Sequence, residues 1–237
     1  MNNTYKQRRK LSVSKLKSKK QRKESSRRWI LRQLNDPYVH EAKAQGYRSR
    51  AAFKLIEIDD KYKLLRPGQA VVDLGAAPGG WTQMLVKRLK TNRAGAQPVV
   101  GIDLQQIDPI PGAILLQHDF TEMSALELLS QHTPDKLDGV VSDMAPFACG
   151  VSSVDHIRIT GLIESAYAFA QGMLKPGGFF VAKVLQGGTD AKLLQTMRRD
   201  FVKVHHFKPP SSRKDSSEKF VIAQGFRRGA NSSDTNS

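Results

Sequence analysis

Lys183 lies inside FFVAKVLQG, a run that is otherwise apolar. A lysine there either snorkels to solvent or sits in a site that accepts its charge. Burial and like charge lower the pKa of an amine and a neighbouring acid raises it; an amine with a lowered pKa serves as a general base. Four aspartates are placed to meet such a group: Asp73 in VVDLGAAPGGW, Asp103 closing PVVGID, Asp119 in LLQHDF and Asp143 in VVSDMAP. One Asp at the end of a strand is more often a turn-former or helix cap than a ligand. Four on consecutive strands collect at the carboxyl edge of a sheet, where ligands bind.

The segment DLGAAPGGWTQ (73–83) carries the second kind of chemistry. It leaves a strand and enters a helix, where free N–H groups and the helix dipole favour an anionic or polar ligand. Gly75, Gly79 and Gly80 let backbone approach a ligand closely, and Pro78 stiffens the turn. The spacing is Gly-x-x-x-Gly-Gly, not the G-x-G-x-x-G of a dinucleotide site, and Asp73 just before it is unwelcome to a pyrophosphate. A nicotinamide dehydrogenase is therefore a poor reading. The loop suits a cationic, phosphate-free cofactor such as S-adenosylmethionine. Asp103, at the end of its strand, falls where ribose hydroxyls are held in doubly wound folds, and Asp119 is placed to accept from an adenine amino group.

The elements that must position these groups alternate along the chain. Trp29–Ala44 reads as a helix interrupted near Pro37, and 49–62 as a second helix with Phe53, Ile56 and Tyr62 at helical spacing. Apolar runs follow at 70–74, 98–103, 113–117, 137–143, 178–185, 201–207 and 219–226, with helices at TQMLVKRLK, 157–174 and 189–200. Continuous apolar runs in strict alternation with helices predict an α/β fold with a mostly parallel, doubly wound sheet. The last two strands, joined without a helix, predict an antiparallel hairpin at one edge.

Composition sets the partner class. The 237 residues suit one domain, and 38 Lys plus Arg against 22 Asp plus Glu give a formal charge of +16, which predicts a polyanionic partner. Residues 1–28 hold 12 of the cations and one acid, Glu24, with too little apolar surface to offset their ordering. They read as a disordered basic arm that binds phosphate, with a solubilising tail or targeting peptide as the competing readings. The domain is expected at 29–228 and a flexible tail at 229–237. Cys149 stands alone, so no disulfide framework or cysteine-rich zinc site is expected, nor any other metal. No run is long enough to span a bilayer and no secretory signal is visible, so a cytoplasmic location without a membrane partner is expected.

GYRSRAAFKL, VVDLGAAPGGW, VVSDMAP, FVAKVLQG and KPPSSRKDSSE, in this order, resemble the FtsJ/RrmJ-type ribose 2′-O-methyltransferases over about residues 25–228. The resemblance implies a Rossmann-like class I S-adenosylmethionine-dependent methyltransferase fold. It also implies a catalytic tetrad of Lys54, Asp143, Lys183 and Glu218. Implied cofactor contacts are Gly79, Trp81, Asp103, Asp119 and Asp143. The implied substrate is a uridine ribose of large-subunit (23S) rRNA, taken on the assembled ribosomal subunit by a monomeric enzyme. Periodicity alone makes Lys54 a surface helix residue and Glu218 an exposed hairpin charge; the resemblance is what promotes them. Phe147 departs from the pattern, since the family commonly has Asn there, and the change removes a hydrogen-bonding group beside the reacting centre. The RNA-facing surface is expected to combine the arm, Arg48, Arg50, Lys54 and the loop Ser211–Lys214. A relative acting on tRNA or another RNA, or a non-catalytic ribosome-assembly factor on the same fold, are the alternatives.

Overall fold

Val71–Leu74 is buried along its whole length, as a strand covered on both faces must be. In the computed structural model, which describes residues 31, 33–145, 152–185 and 191–227, this strand is β1 and lies near the centre of a seven-stranded sheet. Before it come α1 (Pro37–Ala44) and α2 (Ala52–Tyr62), and after it α3 (Gly80–Leu89). Then follow β2 (Val99–Asp103), β3 (Ala113–Gln117), α4 (Ser124–Ser130), β4 (Leu137–Ser142) and α5 (Ser152–Met173). The chain closes with β5 (Leu174–Leu185), α6 (Ala191–Asp200), β6 (Phe201–Phe207) and β7 (Glu218–Phe226). The expected basic arm, Phe147, Cys149 and the expected tail at 229–237 lie outside the described residues.

The strand order is β3-β2-β1-β4-β5-β7-β6. β1 pairs in parallel with both β2 and β4, so the chain winds outward in opposite directions from the β1/β4 boundary. That boundary is the topological switch point, and the crevice beyond its carboxyl ends is where such sheets take ligands. At the other flank β7 runs antiparallel between β5 and β6. The expected edge hairpin is present, and its second strand is inserted against β5 so that Glu218 faces Leu185. An antiparallel strand that begins where its neighbour ends brings its first residue to the carboxyl edge.

Two apolar layers hold the sheet. On one face Leu55 and Ile58 of α2 and Trp81 and Leu85 of α3 pack on Val71, Val141, Val181 and Phe220. On the other, Ile159, Ile163, Ala166 and Tyr167 of α5 pack on Val72, Val140, Phe180 and Val221. A fully buried Val, Leu, Ile or Phe contributes about 1.5–3 kcal/mol, so these layers are what hold the loops above in register. The predicted break near Pro37 is real: Asp36 caps α1, its Oδ1 accepting from the Tyr38 N–H at 3.0 Å, with Pro37 opening the helix. Outside the β6–β7 hairpin, strict alternation of strand and helix fails at one place. Residues 104–112 join β2 to β3 without a helix, because Pro109 and Pro111 remove amide donors that a helix there would need.

Candidate active site

Lys54 sits in the first turn of α2, Asp143 directly follows β4, Lys183 is two residues from the end of β5, and Glu218 opens β7. Four elements thereby bring four charges into one line. The Lys54 ammonium lies 2.9 Å from Glu218 Oε2 and 3.6 Å from Asp143 Oδ2. The other Asp143 oxygen, Oδ1, lies 2.8 Å from Lys183 Nζ, which also donates to the Asp143 backbone carbonyl at 2.6 Å. Glu218, Lys54, Asp143 and Lys183 thus alternate in sign and sum to zero. Their side chains are only 10–15% exposed, so the pairing is stronger than at the surface, and deleting one member strands its partner's charge. Beneath Lys54 lies the Phe220 ring, 5.7 Å from the ammonium, which closes the floor. Lys183 is therefore neither snorkelled away nor buried unpaired: it points to the carboxyl edge and meets the acid at the switch point.

The glycine-rich loop lies beside this line. Gly75 has φ +75°, and a Cβ there would fall 2.3 Å from Met144 Cγ, so the loop must pass bare against the residue after Asp143. α3 begins behind Gly79, at φ +109°, which offers no capping side chain, and the N–H groups of Gly80 and Trp81 face the loop while Thr82 turns to Asp73. Asp103 ties the end of β2 to the loop: Oδ2 accepts from Ala77 N at 3.0 Å and Oδ1 from Gln105 N at 2.8 Å. Asp119 spends Oδ1 on the N–H and hydroxyl of Thr121, at 2.8 and 2.6 Å, and these bonds hold its carboxyl below the usual range. The Trp81 indole is buried, donating to Ala51 O at 2.8 Å and packing on Phe220, so its backbone amide in the first turn of α3 is what it offers to a ligand.

Asp73 lies within β1 rather than at its end and is wholly buried. Its Oδ2 accepts from the Thr82 hydroxyl at 2.7 Å, while Oδ1 has no partner. Burial pushes its carboxyl up to about 7; Asp143 and Asp103 add to the rise and the Thr82 bond opposes it. Asp73 thus lies close enough to Asp143 and to Asp103 to feel the charge of each.

The profile of a family described as FtsJ-like methyltransferase matches residues 47–226. The chain belongs to the FtsJ-like methyltransferase family. It is 55% identical over 212 residues to a ribosomal RNA large subunit methyltransferase E from Granulibacter bethesdensis, covering 90% of each chain. With the protein of the same name from Maricaulis maris it shares 52% over 212 residues, 90% of this chain and 74% of that one. A crystal structure of a putative ribosomal RNA methyltransferase from Plasmodium falciparum superposes with a TM-score of 0.65 at 29% identity, covering 76% of this chain and 98% of the other.

In this methyltransferase a polar cleft of about 410 Å³ opens beside the four charges, lined by Gln33, Arg50, Lys54, Arg213, Ser216 and Glu218 among others. Two acids that sequence reasoning passed over build its wall. Asp36 holds Arg50 at 3.1 Å and Arg213 at 3.6 Å. Glu57, one turn after Lys54, accepts from both the N–H and the hydroxyl of Ser211, at 2.8 and 2.7 Å, while Arg50 donates to the Ser211 carbonyl. The 208–217 loop is thereby clamped to α2 just before it delivers Glu218. Helical spacing from Lys54 was the one signal for Glu57. Arg48, expected on the RNA-facing surface, braces the loops beside the glycine-rich segment: its guanidinium donates to the carbonyls of Asp108 at 2.6 Å, Pro109 at 2.8 Å and Pro78 at 3.5 Å. Among the described residues no cluster of three or more His, Cys, Asp or Glu is placed to hold a metal ion. Among them, too, no helix is long and apolar enough to cross a membrane.

Proposed function

We propose that this methyltransferase modifies the ribose 2′-oxygen of a uridine in large-subunit (23S) rRNA, on the assembled large ribosomal subunit, as a cytoplasmic monomer. The observation that carries the reading is the continuous line Glu218–Lys54–Asp143–Lys183 at the mouth of the β1/β4 crevice. Relatives more than half identical in sequence carry the name ribosomal RNA large subunit methyltransferase. S-adenosylmethionine, when bound, supplies a methyl group already activated on a sulfonium. The residues present fit it. The uncapped α3 N-terminus suits its carboxylate, and Asp143, ion-paired yet partly open at the crevice mouth, offers a carboxylate to a cationic donor. Gly79, the Trp81 amide, Asp103, Asp119 and Asp143 are the groups we assign to hold it.

The protein's remaining tasks are alignment and removal of one proton. Lys183 would accept the 2′-OH proton as the ribose oxygen takes the methyl group that bound S-adenosylmethionine would supply, the neutral thioether being the leaving group. Asp143 orients Lys183 and faces the cation that results. Lys54 holds the ribose or an adjacent phosphate, and Glu218 orients Lys54 and the target hydroxyl. The Arg50–Arg213 wall offers donors to phosphate oxygens, and the 2′-OH restricts the substrate to RNA.

The test pairs substrate choice with one substitution. Large subunits, free rRNA and tRNA are incubated with labelled S-adenosylmethionine, and the methylated nucleotide is mapped. The reading requires a uridine 2′-O-methyl on the large-subunit RNA; label on tRNA alone overturns the substrate. Lys183→Ala should abolish transfer while calorimetry still detects cofactor binding. Turnover like the wild type in that variant overturns the base assignment.

A further inference from the structure

Beyond the catalytic line, the outer strand of the sheet carries a second arrangement of charge and rings. Lys203, His205 and Phe207 alternate along β6 and share the face that α2 packs against, since Tyr62 at the end of α2 lies 5.4 Å from the His205 ring and 5.8 Å from Phe207. The Tyr62 and His205 planes are 31° apart. Lys61 sets its ammonium 4.2 Å from the centre of the Phe207 ring. Lys61, Lys63, Lys203 and His205 are exposed, while Tyr62 and Phe207 are half-buried.

Charge on this strip is of one sign. Among the described residues no carboxylate lies within ion-pair distance of Lys61, Lys63 or Lys203. The acids of the same helix are already engaged: Asp60 pairs with Arg88 at 2.7 Å, and Asp59 is buried, accepting from Leu65 N at 2.9 Å. An edge strand needs charges to discourage pairing with another chain, and either sign serves that purpose. Cations interleaved with partly open rings are instead the composition of a platform for single-stranded nucleic acid, where lysines meet phosphates and rings stack on bases.

Position strengthens the case. Phe207 pairs directly with Phe220, whose ring lies under Lys54, and Glu218 is two residues further along β7. The strip therefore starts one strand away from the catalytic line, across the buried Phe220, and extends about 14 Å between Phe207 and Lys203 at roughly 3.4 Å per residue. We propose that it is a docking surface for the single-stranded rRNA flanking the target nucleotide, with Lys61 and Lys203 on phosphates and the Tyr62–His205 pair beneath a base. The proposal rests on the RNA-methylating function above and extends it to a surface outside the reacting centre.

The decisive variant is Lys61→Glu/Lys203→Glu, with Lys61→Arg/Lys203→Arg as its charge-conserving control. Binding to naked 23S rRNA and to large subunits is measured by fluorescence anisotropy across a salt series, with calorimetry for S-adenosylmethionine. The expected result is at least a roughly tenfold loss of rRNA affinity at moderate salt. The log–log salt slope should shrink by about 1.4, two phosphate contacts at about 0.7 each on a single strand. The Arg control should bind rRNA as the wild type does, and cofactor affinity should be equal in all three proteins. Unchanged affinity and slope in the Glu variant overturn the proposal. So does an equal loss in the Arg control, or a Glu variant that self-associates while binding rRNA normally, which would make the strip an edge guard. Weakening confined to assembled subunits overturns it in favour of a ribosomal protein as partner. A wild-type protein that binds rRNA but never methylates it refutes the functional reading, and the slope then decides the docking surface by itself.

Discussion

Asp73 gives the stability of this methyltransferase a pH dependence that one substitution should remove. Its carboxyl is pushed to about 7 in the folded chain against 3.8 for an ordinary aspartate, chiefly because it is wholly buried. Between those values the folded state holds a proton that the unfolded state has released. Stability from this group is therefore fully present below about pH 4 and is lost as pH rises through 7. Three units at 1.36 kcal/mol each make the whole loss roughly 4 kcal/mol, a large share of a typical domain's 5–15 kcal/mol. Asp73→Asn keeps an acceptor for Thr82 and cannot ionise. Urea unfolding of both proteins at pH 5, 6, 7 and 8 should show the variant gaining on the wild type by several kcal/mol across the series. Asp119 and Asp200 are shared by both proteins, so their titrations cancel in the difference. A difference constant within about 0.5 kcal/mol would refute the reasoning, because it would mean that the buried carboxyl ionises as it does in water. Thr82→Val should move the window upward, since it removes the bond that opposes the shift.

Gly75→Ala combines a positive φ with a Cβ 2.3 Å from Met144 Cγ; it should cost about 2–4 kcal/mol in thermal or urea unfolding and weaken cofactor binding by displacing the residue next to Asp143. Arg48→Met keeps the aliphatic stem but loses the three carbonyl contacts. It should raise the KM for S-adenosylmethionine several-fold and leave the salt slope of RNA binding alone; a slope smaller by about one would instead make Arg48 a phosphate ligand. Removing residues 1–28, which hold 12 cations, should weaken RNA binding and flatten its salt slope while single-turnover methyl transfer at saturating RNA stays near the wild-type rate.

The fold was legible because parallel strands are buried on both faces and print unbroken apolar runs such as AVVDL and FFVAKVL. The insertion of β7 between β5 and β6 was not, because pairing partners leave no mark on local composition. α4, SALELLS, passed unremarked for a similar reason: seven residues make two turns, too few for a periodic signal. Within the site, Asp103 and Asp143 could be placed because a strand end fixes where a side chain emerges. Lys54 and Glu218 could not be placed by periodicity, and only the resemblance of their surrounding motifs drew them in. Arg48 shows the opposite limit. Its type suggested phosphate contact, and the three carbonyls that accept from it come from segments 30 and 60 residues away, which a sequence does not display as neighbours.

The antiparallel insertion of β7 also has a consequence for synthesis. The residues we assign to the methyl donor, from Gly79 to Asp143, have all been made once β4 is finished. Glu218 arrives only with the last strand, which must slot beside β5 before β6 has a neighbour other than solvent. A nascent or truncated chain ending before residue 218 would carry the groups that hold the methyl donor, an open edge on β5, and a Lys54 lacking its nearer carboxylate. On that assignment the charge line, and not the donor's contacts, is what waits for the C-terminal strand.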